Sequence, residues 1–91
     1  MTAANCTVRI ASPLRSYTSG ASSVTADGAT LHEILANLDR RFPGIRFRMI
    51  DEQDRVRPHI RIFVNGEQSF ALDHGLDDRD VVHVIQAFSG G

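Results

Sequence analysis

The sequence predicts an α+β domain in which one main helix packs on a mixed sheet of four to five strands. Three observations predict it. Period-two alternation marks strands near both ends of the chain and again in its third quarter. A single stripe of apolar residues at helical spacing lies between them. The length, 91 residues, allows one modest core and no second domain.

The elements follow in order. In "CTVRI", Cys6, Val8 and Ile10 point one way while Thr7 and Arg9 point the other, which is a half-buried strand. "ASPLRSYTSGASS" is a loop punctuated by Pro13 and Gly20, and "SVTA" is a short second strand that pairs with the first as a long-looped hairpin. In "DGATLHEILANLDRRFPG", Thr30 stands at a cap position with Glu33 three residues on, the spacing of a capping box. Leu31, Ile34, Leu35, Leu38 and Phe42 form one apolar stripe. Arg40 and Arg41 suit the helix C-terminus electrostatically, and Pro43-Gly44 ends it.

"IRFRMIDEQDRVRP" allows a short second helix followed by a polar loop. In "HIRIFVNGEQSF", Ile60, Ile62 and Val64 alternate with Arg61 and Phe63, and Asn65-Gly66 is a two-residue hairpin turn, since both positions tolerate positive φ. "LDHGLDDRD" is a polar turn region anchored by Leu72 and Leu76, with Asp80 in a turn role before the last strand. "VVHVIQ" closes the fold, with Val82 and Val84 on one face and His83 and Ile85 on the other. A helical crossover lets the first and last strands lie side by side and parallel. This is the β-grasp, or ubiquitin-like, layout. It is expected to occupy residues 1–87, followed by a flexible tail over 88–91.

Composition bounds the function. Hydrophobic content of 42% and charged content of 23% are those of a soluble globular protein. A net charge of −1 and dispersed arginines argue against a nucleic-acid binder. All ten basic residues are arginine, so no side-chain amine is available for acylation; codon usage in a GC-rich genome suffices to explain this. The single cysteine excludes an internal disulfide framework, and Cys6 reads as a small buried hydrophobe. With no secretory segment or long apolar run, a cytoplasmic protein without membrane contact is expected. His32, His59, His74 and His83 lack metal-ligand spacing, and Asp73, Asp77, Asp78 and Asp80 do not follow a calcium-loop pattern. No metal is expected.

Three stretches carry a resemblance: "IASPLRSYTSG" after the first strand, "IFVNGE" at the third strand and its turn, and "HVIQAFSGG" at the end. On these the chain resembles the ubiquitin-like sulfur carriers. That family includes the molybdopterin synthase small subunit, the thiamin-pathway carrier and the cysteine-pathway carrier. The resemblance spans nearly the whole chain, and the longer segment at 45–58 looks more like the cysteine-pathway carrier. Gln86 stands where many relatives have proline, and Phe88-Ser89 where small apolar residues are common; these departures leave the pathway open.

The resemblance implies a carrier rather than an enzyme, binding no cofactor itself. The carboxylate of Gly91 would be adenylated with ATP by a ubiquitin-activating-type adenylyltransferase. A sulfur nucleophile would then convert it to a thiocarboxylate, and a sulfur-accepting synthase would take the sulfur. The chemistry needs glycine here. A residue without Cβ lets backbone pass close to the walls of a narrow active site. One residue after Gly91 would displace the carboxylate by more than about 3 Å, and catalysis is sensitive to misplacements of about 1 Å. Gly90, Ser89 and Phe88 would form the thread, with Phe88 seated in a partner's groove. The strand alternation also puts Phe63 and Ile85 on the face turned away from the helix, rimmed by Arg9, Arg61 and His83. That is the composition of a docking surface, and the matching positions in ubiquitin form its main hydrophobic patch. Two alternatives share the fold: a protein modifier conjugated through Gly91, and an interaction module with an inert tail.

Overall fold

The computed structural model describes residues 4–87. The chain runs β1 (Asn5–Arg9), a 3-10 turn (Ser12–Leu14), β2 (Ser23–Asp27), α1 (Leu31–Arg41), α2 (Ile45–Met49), β3 (Ile60–Val64), β4 (Glu67–Ser69) and β5 (Val81–Gln86). The five strands form one mixed sheet in the order β2-β1-β5-β3-β4. β1 and β5 are parallel, with Thr7 opposite Val81 and Arg9 opposite His83. The other pairings are antiparallel. The β-grasp layout expected from the sequence is the one observed, with five strands.

Alternation dictates what each face of the sheet holds. Val8, Ile62, Val82 and Val84 are essentially fully buried on the inner face, against Leu31, Ile34, Leu35 and Leu38 of α1. The helical stripe is therefore the core stripe, with Phe42 packed at its margin. Thr30 caps α1, its hydroxyl accepting the Glu33 N–H at 3.3 Å. The return bond of the capping box reaches one residue further back than the spacing implies: Glu33 Oε1 accepts from the Ala29 N–H at 3.0 Å. Gly28, just before, is buried, and a Cβ there would lie 2.7 Å from the Ile34 backbone nitrogen. The helix thus starts tight against the chain that leaves β2.

The segment after α1 does contain the short second helix. Gly44, at φ 96°, makes the turn into it, and Asp39 Oδ1 accepts the N–H groups of both Gly44 and Arg46. Ile45 and Met49 are buried and pin α2 to the core. The loop after β1 is similarly closed on itself. Leu14 is buried, and the buried Thr18 hydroxyl donates to the Ala21 carbonyl at 2.8 Å. Among the described residues, no helix is long and apolar enough to cross a membrane.

Candidate functional site

Strands β1, β5, β3 and β4 contribute to the face turned away from α1. Their registers align side chains in rows: Arg9 of β1, His83 of β5, Phe63 of β3 and Gln68 of β4 lie side by side, and Ile85 stands opposite Arg61 in the next row. A shallow concavity of about 520 Å³ opens between them, lined by residues that include Thr7, Arg9, Phe63, Val81, His83 and Ile85. Val81 and Ile85 are each 37% exposed, which is high for large aliphatic side chains. The structure thus brings together Phe63, Ile85, His83 and Arg9 as the alternation places them.

Arg61 shares the face, but its guanidinium turns back, donating to the carbonyls of Pro58 (2.5 Å) and Ile60 (3.2 Å). It sits outside the concavity and fixes the loop before β3. Phe88, Ser89, Gly90 and Gly91 lie outside the described residues, as does the expected tail over 88–91.

One end of the concavity is held by the β3–β4 turn. Asn65 (φ 51°) and Gly66 (φ 89°) both adopt positive φ, as the two-residue turn requires. The Asn65 amide does more than turn the chain. Its Oδ1 accepts the Val81 N–H at 2.9 Å, and its Nδ2 donates to Asp80 Oδ1 at 2.9 Å. Asp80 Oδ2 accepts the Asp77 N–H at 2.8 Å. The Asn65 hydrogen bond first, and the Asp77 N–H second, hold the Asp80 carboxyl below its ordinary range. Asp80 therefore has the turn role read from the sequence, and it registers the start of β5.

At the opposite end, β5 hands the chain on. Gln86 pairs with Ile60, and the Ala87 N–H donates to the His59 carbonyl at 2.7 Å. Ala87, the last described residue, therefore lies against the 57–59 loop, and Gln86 shares a concavity with Tyr17. Cys6, 0% exposed, points into the core, and burial raises its thiol pKa. Both disfavour a nucleophilic thiolate.

Sequence reasoning missed Val81 and Asn65 as parts of this surface. Val81 was legible: it shares the parity of His83 and Ile85. Asn65 was read for its backbone alone. The exposed aromatics Phe47 (58%) and Phe70 (82%) were also missed, because α2 and the chain after β4 carry no clear period.

The sheet order, the parallel β1–β5 pair and the main helix α1 packed on one face define a ubiquitin-like β-grasp domain. The chain belongs to the ThiS family, whose model matches residues 8–91. It is 35% identical over 92 residues to the sulfur carrier protein CysO of Mycobacterium tuberculosis, covering 96% of this chain and 99% of that one. It is 34% identical over 68 residues to small archaeal modifier protein 3 of Haloferax volcanii, covering 71% and 73%. In the crystal structure of the Amycolatopsis orientalis BexX/CysO complex, one chain superposes with a TM-score of 0.87 at 35% identity, covering 94% of this chain and 99% of that one.

Proposed function

We propose that this protein is a sulfur carrier whose reactive atom sits at Gly91. The observation that carries the reading is the full-length match to the sulfur carrier CysO, within a family match that runs to Gly91. The carboxylate of Gly91 attacks ATP on a ubiquitin-activating-type adenylyltransferase, giving an acyl-adenylate and pyrophosphate. Hydrosulfide attacks the acyl carbon, displaces AMP and leaves a thiocarboxylate, which a sulfur-accepting synthase consumes. The protein is a co-substrate in this scheme, acting in the cytoplasm where ATP is supplied. ATP is bound by the partner, and the carrier needs no cofactor or metal of its own.

The concavity around Phe63, His83 and Ile85 is the surface we assign to partner docking, with Arg9 on its rim. The crystal structure of a BexX/CysO complex supports docking to a protein partner as the working mode of this kind of carrier.

A modifier role, with Gly91 joined to lysines of other proteins, has one observation in its favour, the likeness to small archaeal modifier protein 3. One experiment separates the readings. The chain is incubated with host extract, ATP and a sulfur source, and its intact mass is measured. An oxygen-to-sulfur exchange mapped to Gly91 is expected, and it is expected to vanish in a variant lacking Gly90 and Gly91 that melts at the wild-type temperature. Higher-mass conjugates in place of the thioacid would support the modifier. Carboxylate alone would leave an inert module.

A further inference from the structure

Two arginines near Ala87, the last described residue, are held in a way the docking concavity does not explain. Arg48 of α2 donates its Nε–H to the Tyr17 hydroxyl at 2.7 Å and lies over that ring at 5.9 Å. Arg57 donates its Nε–H to the Phe47 carbonyl at 2.7 Å and stacks over the Phe47 ring at 4.6 Å. Each guanidinium is thus oriented through Nε and an aromatic face, while its terminal nitrogens make no hydrogen bond among the described residues. Neither has a carboxylate within 4 Å among the described residues, where the ion pairs are Arg46–Asp54 and Arg55–Asp51. Two shallow concavities, of about 330 and 280 Å³, share Arg48 and His59. Gln86 lines the first, and Glu52 is the one acid lining the second. Of the two aromatics Phe47 is exposed and Tyr17 half-buried against the core, and arginine and aromatic residues are both enriched at protein interfaces.

Position selects the occupant. The inference rests on the proposed reading, in which Gly91 is the activated end. Four residues separate Ala87 from that end, a reach of at most about 14 Å. An enzyme that encloses Gly91 must therefore bring the mouth of its active-site passage to the residues around Ala87. The Ala87 N–H is bonded to the His59 carbonyl, and His59 lines both concavities, with Arg48 in each and Arg57 in the second. We propose that Arg48 and Arg57 form a cationic ledge that docks a carboxylate-bearing rim on the protein partner that takes up the C-terminal segment. The ledge is distinct from the sheet-face concavity and sets the direction in which the segment enters.

The test uses the full chain with the adenylyltransferase of the producing organism, reading ATP–pyrophosphate exchange against carrier concentration. The Arg48→Glu/Arg57→Glu variant should raise KM about 10-fold or more at low salt with kcat within about 2-fold. The wild-type KM should climb with added NaCl more steeply than the variant's, because exposed charge pairs are screened. Thermal melting checks that the variant is folded. If it is not, Arg48→Gln/Arg57→Gln and the salt slope of the wild type decide the matter, and a salt-independent wild-type KM overturns the ledge. Exchange by the wild type with an unchanged KM in the folded variant overturns the ledge alone. No exchange by the wild type overturns the assignment of Gly91 as the activated end, and the ledge falls with it.

Discussion

Leu35→Ala and Ile85→Ala each delete three carbons, one from the helix packed on the inner face of the sheet and one from the outer face of the sheet. Leu35 is 0% exposed in the centre of α1, and Ile85 is 37% exposed on the far side of β5. At about 0.8 kcal/mol per buried methylene, the Leu35 deletion forfeits about 2.4 kcal/mol of transfer free energy. The space it leaves is enclosed by helix and sheet, and that cavity raises the cost to about 3–4 kcal/mol. In a domain of this size the melting temperature should fall by roughly 12–30 °C. Ile85 has no layer packed over it among the described residues, so no closed cavity forms. Its truncation should cost about 1 kcal/mol, or roughly 4–8 °C. Both variants are melted by far-UV circular dichroism at pH 7, and both are titrated against the adenylyltransferase. Ile85→Ala should lose affinity while staying folded, and Leu35→Ala should lose stability. Equal losses of stability would falsify the assignment of the two faces.

Two further outcomes are expected. Gly28→Ala should destabilise by about 1–3 kcal/mol, because its Cβ would meet the Ile34 backbone nitrogen at 2.7 Å where nothing soft can yield; an unchanged urea midpoint would mean the start of α1 can shift. Asp80 has a folded pKa below its unfolded value, so its contribution is present in full above about pH 4 and fades as pH falls through the lowered folded value. Melts of wild type and Asp80→Ala at a series of pH values should therefore differ most near neutrality and converge in acid. A constant gap down to pH 2 would show that Asp80 acts through something other than its charge.

Much of the fold was legible because its signals are local and periodic. The α1 stripe and the strand parities of β1, β3 and β5 name the buried residues directly, and Asn65-Gly66 fixes a register. What stayed hidden depends on contacts between distant segments. The short helix α2 was expected, but its bounds were hidden: five residues are too few to show a helical period, and its start is fixed by Asp39 from the preceding helix. The stacking of Arg48 on Tyr17 and of Arg57 on Phe47 joins residues with no mutual spacing rule. Arg61 shows the limit of face arguments: parity put it on the correct side, but its reach let it find backbone carbonyls away from the patch.

The central strand of the sheet is β5, made by residues 81–86, and its parallel neighbour is β1, made by residues 5–9. Nearly the whole chain must therefore be synthesised before the middle of the sheet can close. Until then β1–β2 and β3–β4 are two separate hairpins with open edges. Such non-local closure makes folding slower than in a helical domain of equal length. It also acts as a proofreading device. A chain terminated early lacks its central strand and is left to proteolysis, so the pool of folded molecules consists of those extended at least through β5, to the threshold of the segment in which we propose the chemistry lies.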